Sequence, residues 1–90
     1  MRINFDESKR QWTLTHRGLD FADAFKIFEG AEFSWIDDRH DCGEVRYNTL
    51  GKLEGRLVAL TWTVRDGNRR IISMRKANDR EQVHYRRLLD

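Results

Sequence analysis

The order of residues predicts an α+β fold, an antiparallel β-sheet flanked by two N-terminal helices and one C-terminal helix, in the order β-α-α-β-β-β-β-α. Three observations predict it. The run "RLVALTWTV" at 56–64 is β-branched and aromatic and alternates between two faces. It is followed by Asp66-Gly67 and a second strand-like run, "RRIISMRKA" at 69–77, which together are a hairpin signal. Stretches with helical caps stand on both sides of this strand-rich middle.

Taken in order, Arg2-Ile3-Asn4-Phe5 alternates polar and apolar and suits a short first strand. Asp6 is the expected N-cap of a helix that runs to about Thr15 and stops at His16-Arg17-Gly18, with Gly18 in the left-handed position past its end. Asp20 caps a second helix, whose Phe21, Ala24, Phe25 and Phe28 form one apolar stripe before Gly30. Residues 32–36 suit a strand, 37–44 a polar loop, 45–50 a second alternating strand and 51–55 a turn. In the hairpin, Val58, Leu60, Trp62 and Val64 share a face of the incoming strand, opposite Leu57, Ala59, Thr61 and Thr63. Strict alternation of the outgoing strand puts Arg69, Ile71, Ser73 and Arg75 on one face and Arg70, Ile72, Met74 and Lys76 on the other. Asn78 or Asp79 then caps a last helix, with Glu81 near its N-terminus.

The 90 residues suit one domain, and no proline, linker, repeat or low-complexity run divides them. Charged residues make up 36% of the chain, so much of it must face water or a partner. The net charge of +2 is unevenly spread: residues 1–64 hold 9 Lys/Arg against 11 Asp/Glu, and residues 65–90 hold 8 against 4. A locally basic C-terminal third points to an acidic or polyanionic partner, or to no more than a well-solvated helix. The one cysteine, Cys42, excludes an internal disulfide and suits a reducing cytoplasm. Neither a signal-peptide core nor a run long enough to span a membrane is present.

Two cations stand at each end of the Ile71–Met74 segment. If Ser73 and Arg75 share a face with Thr61 and Thr63, a polar, positive strip crosses the sheet, and Arg46 extends it from the neighbouring strand. Guanidinium groups fixed on a rigid sheet can clamp a phosphate and stabilise the charge that builds when it is attacked. The plainer reading is the solvated face of an ordinary antiparallel sheet. Asp37, Asp38, His40, Asp41 and Cys42 match no zinc spacing, and a solvated loop explains them. His16 and His84 read as surface residues, and Trp12, Trp35 and Trp62 as core or interface, with Trp35 the most exposed.

The segments "FDESK" at 5–9, "RGLDF" at 17–21, "GEVR" at 43–46 and "RIISMRKA" at 70–77, followed by Glu81 and Tyr85, together resemble the BrnT family of toxins from type II toxin–antitoxin modules. The likeness spans nearly the whole chain in order, and its ending is the most specific part. The chain departs from many relatives at His16-Arg17-Gly18, where they have Lys-His-Gly, and at Met74, where they have Ala. The resemblance implies a RelE-like fold and a ribonuclease that inhibits translation by cutting RNA without a metal or other cofactor. It also implies a BrnA-like antitoxin carrying its own DNA-binding part, operator binding only through the complex, and a heterotetramer as one form of that complex.

A metal-free mechanism that suits these residues is attack by the RNA 2′-hydroxyl on the adjacent phosphate, giving a cyclic phosphate and a 5′-hydroxyl. Arg75 and Lys76 are the leading catalytic candidates, although both can contribute only if the strand end twists or bulges. Arg75 would stabilise the phosphorane, Arg46 or Arg70 would position the backbone, and Glu44, Glu81 or Tyr85 would move protons. Arg69, Arg70, Ser73 and Arg80 are the candidates for holding RNA. The competing function is a basic module that binds nucleic acid or protein and performs no chemistry.

Overall fold

In a computed structural model, which describes residues 2–38 and 43–89, the chain forms β1 (Ile3–Phe5), α1 (Glu7–Arg17), a 3₁₀ turn (Phe21–Asp23), α2 (Ala24–Glu29), β2 (Glu32–Asp37), β3 (Arg46–Leu53), β4 (Arg56–Arg65), β5 (Asn68–Lys76) and α3 (Asp79–Leu89). The five strands form one sheet in the order β1-β5-β4-β3-β2. The strands β2 to β5 are antiparallel neighbours, as the hairpin signals predict, whereas β1 pairs parallel with β5. The sheet is therefore mixed. The chain reaches β5 only after traversing the molecule, which a local turn signal cannot foretell.

Local chemistry explains the boundaries. Asp6 accepts a hydrogen bond from the Lys9 amide, and Gly18 closes α1 at φ 68°, so the helix gains two residues over the expected end. The β3–β4 turn shrinks to Glu54-Gly55, because Leu53 is drawn into the core and extends β3. Asp66-Gly67 makes the β4–β5 turn with both residues at positive φ, the twist that a two-residue hairpin needs. At α3, the Asn78 side chain accepts from the Glu81 amide and Glu81 accepts from the Asn78 amide, a reciprocal capping box.

The two sheet faces are covered unequally. One carries the main core, where Phe21, Ala24 and Ile27 pack on Val58, Leu60, Trp62, Ile71 and Met74. Each large side chain buried there contributes about 1.5–3 kcal/mol. The other face bears a smaller cluster of Leu50, Ala59, Ala77 and Tyr85, roofed by α3 with Trp35 and Leu57 at its margin. Among the described residues, no helix covers the rest of that face.

The β4–β5 ladder is interrupted between Thr61 and Trp62: Thr61 pairs with Ser73 and Trp62 with Ile71, so Ile72 is an extra, bulged residue. This corrects the strict alternation expected of β5. Ile71 and Met74, three apart, both enter the main core, and the residues before the bulge exchange faces. Arg70 now joins Ser73 and Arg75 on the open face, opposite Thr63, while Arg69 turns to the core face. There the Arg69 guanidinium lies 3.9 Å from the Phe28 ring centroid and 4.9 Å from that of Trp62.

Outside the sheet, α1 lies along the β5 edge beyond the end of β1, and Arg17 donates to the Met74 carbonyl. That edge is thereby closed to a further strand. Arg10 forks onto Asp20 at 2.7 and 3.1 Å and ties α1 to the segment that enters the core. The Arg10 hydrogen bonds hold the Asp20 carboxyl below its ordinary 3.8, with help from the Ala22 amide. A depressed folded-state pKa stabilises the fold above the unfolded value and is lost as pH falls through the folded one. Urea midpoints of wild type and Arg10→Ala should therefore differ most above about pH 4 and converge in stronger acid. No helix among the described residues is long and apolar enough to cross a membrane.

Candidate active site on the open sheet face

Register places three rows of side chains on the open face. Asp37, Arg46, Thr63 and Arg70 form one row, Trp35, Asn48, Thr61 and Ser73 the next, and Phe33, Leu50, Ala59 and Arg75 the third. Helix α3 covers the apolar part of the third row. Between its N-terminus and the second row lies a cavity of about 230 Å³, lined by Trp35, Asp37, Asn48, Thr61, Arg75 and Glu81, among others. An arginine, three carboxylates (Asp37, Asp38 and Glu81), an amide and a hydroxyl thus share one concave space with an indole wall.

Arg75 reaches it from the end of β5. Its two terminal nitrogens meet the two Glu81 oxygens at 2.7 and 2.9 Å, a bidentate pair. Glu81 is held in place by the capping box, so the turn that starts α3 also aims the partner of Arg75. Asp37 ends β2 and is only 5% exposed. On the same wall the Thr61 hydroxyl donates to Asn48 Oδ1 at 2.8 Å.

Beside this cavity is a second hollow, of about 250 Å³, whose lining includes Arg46, Arg65, Arg70 and Lys9. Glu44 sits among these cations, 3.1 Å from Arg65 and 3.6 Å from Arg46. Hydrogen bonding by Arg65 holds the Glu44 carboxyl below its ordinary 4.5. It is therefore a weak proton acceptor, better suited to orienting the two guanidinium groups. Arg70 donates to Asn4 across the β1–β5 seam.

The sequence candidates divide accordingly. Arg75 and Glu81 line the cavity, Ser73 lies in the row beside it, and Arg46, Arg70 and Glu44 surround or adjoin the neighbouring hollow. Lys76 pairs with Val58 on the opposite face, since the bulge falls at Ile72 and not between Arg75 and Lys76. Arg69 is held against Phe28 and Trp62 away from the open face. Arg80 lies on the outer side of α3 with Val83, His84 and Arg87. Tyr85 is 4% exposed in the smaller core cluster, and its hydroxyl donates to the Ala31 carbonyl at 2.9 Å. Tyr85→Phe should cost about 1 kcal/mol of stability, read as a shifted denaturant midpoint. Cleavage by the folded variant should stay within about two-fold of wild type, since the hydroxyl serves the core.

Asp37, Asn48 and Trp35 were not sequence candidates for this site. The alternation of "EFSWID" at 32–37 was the available signal, because it puts Phe33, Trp35 and Asp37 on one face. Trp35 is half-buried, not exposed as expected; the exposed indole is Trp12, at 51%. The loop residues His40, Asp41 and Cys42 lie outside the described residues.

An α+β domain that gathers arginines, carboxylates and polar side chains on one open sheet face has the make-up of a small nucleic-acid-processing protein. The family model described as the ribonuclease toxin BrnT of type II toxin–antitoxin systems matches residues 5–81, and the chain belongs to that family. It is accordingly a ribonuclease toxin with RNA as its substrate and an antitoxin as its partner. No curated protein matches the chain.

Proposed function

We propose that the chain is a metal-independent endoribonuclease that stops translation, and that the cavity at Arg75 is where it cuts. The supporting observation is the convergence of Arg75, Asp37 and Glu81 on one concave space beside a second, arginine-lined hollow. The scissile phosphate displaces the Glu81 carboxylate from Arg75 and takes its two hydrogen bonds. The 2′-oxygen then attacks phosphorus, giving its proton to a cavity carboxylate, Asp37 or the released Glu81. The phosphorus–5′-oxygen bond breaks, and the leaving oxygen takes a proton from the carboxylic acid just formed or from water, leaving a 2′,3′-cyclic phosphate and a 5′-hydroxyl. Arg75 stabilises the added charge of the phosphorane, and Arg46 and Arg70 hold the adjoining backbone. The cognate antitoxin is BrnA-like, forms a heterotetramer with the toxin, neutralises it by covering this basic face, and carries the complex to operator DNA.

The test is cleavage of a defined RNA by purified protein in excess chelator. New 5′-hydroxyl ends would support the reading. Protection of the RNA without new ends, by protein shown to be folded, would favour the non-catalytic binding module.

A further inference from the structure

The arginine-lined hollow does not end at the sheet. Lys9 and Ile72 also line another hollow, of about 180 Å³, bounded by Trp12, Thr13, Arg17 and Ser73. The two are therefore one groove, which passes over the β5 bulge and continues along α1. The bulge lies where this becomes geometrically open: Phe5–Ile71 is the last β1–β5 pair, and Ile72 is the next residue.

The far end of the groove differs from its start. Trp12 is 51% exposed although it is the largest side chain on α1. His16 stacks on the indole, with centroids 4.5 Å apart and planes 18° apart, and does not line the hollow. The Arg17 guanidinium lies 5.2 Å from the indole centroid and is anchored by its bond to the Met74 carbonyl. An indole that carries a stacked imidazole and a guanidinium over its ring, and is still 51% exposed, is a stacking surface for nucleobases. A line of cations leading to such a surface is the pattern that holds single-stranded nucleic acid.

We infer that the Trp12–Arg17 end of this groove is a stacking subsite for an unpaired RNA base that flanks the cleaved phosphate, with Lys9 and Arg70 holding the phosphates between. This rests on the ribonuclease reading of the open face and adds where the strand goes when it leaves it. Duplex RNA does not fit the same role, because its bases are already stacked and paired.

The experiment titrates the purified chain with a short single-stranded oligonucleotide, 2′-O-methylated throughout so that it cannot be cut, and reads fluorescence anisotropy. Trp12→Ala should weaken binding roughly ten-fold, the effect of losing one base–aromatic stack, and Trp12→Phe should recover most of it. An oligonucleotide with abasic sites should bind wild type and Trp12→Ala alike, which a merely structural role for Trp12 would not produce. Lys9→Ala should lower the slope of log affinity against log salt by about 0.7. The inference is overturned if wild type does not bind, if Trp12→Ala binds as wild type, or if its loss persists with the abasic probe. It is also overturned if Trp12→Ala spares RNA binding and instead abolishes pairing with the antitoxin. Binding that shows the expected Trp12 dependence, in a protein that makes no new RNA ends, would sink the ribonuclease mechanism and leave the subsite standing.

Discussion

Arg75→Ala should cut RNA about 100-fold more slowly than wild type while remaining folded. The magnitude is that of removing one preorganised donor from a developing oxyanion. The fold should tolerate the change because the Arg75 side chain is 44% exposed and Glu81 keeps its bond to the Asn78 amide. Arg75→Lys should not restore full activity, since an ammonium cannot reproduce the two parallel hydrogen bonds of the guanidinium. The measurement is single-turnover cleavage, with circular dichroism on the same samples. A folded Arg75→Ala protein that cleaves at the wild-type rate would remove Arg75 from the mechanism. Glu81→Gln gives the complementary result: it loosens the hold on Arg75, so RNA binding should tighten even if proton transfer slows.

The second large effect concerns stability and lies far from the cavity. Gly51→Ala should destabilise the fold by about 2 kcal/mol, the scale of overpacking a filled core, lowering Tm by roughly 10 °C in a domain this small. A Cβ at position 51 would stand 2.5 Å from Cγ2 of Ile27, a side chain with no exposed surface, and 3.6 Å from Cβ of Glu32. Gly51 is the point where α2 rests on β3, so the helix can approach closely only if that position has no side chain. Ile27→Ala removes the clashing methyl. The double variant should therefore lose less stability than the two single losses together, a coupling that thermal melts of the four proteins would show. Additive losses would mean that the contact is not what limits position 51.

How much of this was legible in the sequence depends on the range of the forces involved. The helix caps at Asp6 and Gly18 and the Asp66-Gly67 turn act over a few residues, and their chemistry is written in adjacent letters. The same holds for the capping box, whose Asn78 and Glu81 stand three apart. The Ile72 bulge is different. Ile71 and Ile72 suit a strand equally well, and which of them enters the core is decided by Trp62 on the facing strand. Missing it put Arg69 and Arg70 on the wrong faces. The cavity was half visible for a related reason. Arg75 and Ser73 announced themselves by charge and polarity in an apolar strand, but Asp37 reads as the start of a polar loop until β3 pairs with it through Arg46. Lys76 looked equal to Arg75 in sequence, and only the register against Val58 and Ala59 separates them.

The parallel seam between β1 and β5 has a kinetic consequence. The four strands from β2 onward can zip as successive short hairpins, each closing a small loop, whereas β1 must find a partner on the far side of the chain; Asn4 and Arg70, which bond across the seam, are 66 residues apart. Long-range closure is entropically slow, and three paired residues give little in return. The amino-terminal segment is then the last part of the sheet to dock and the first to peel away. Each such opening would release Arg70 from Asn4 without unfolding the meander. The basic face would thus be tuned by an association between two segments, β1 and β5, that lie far apart along the chain.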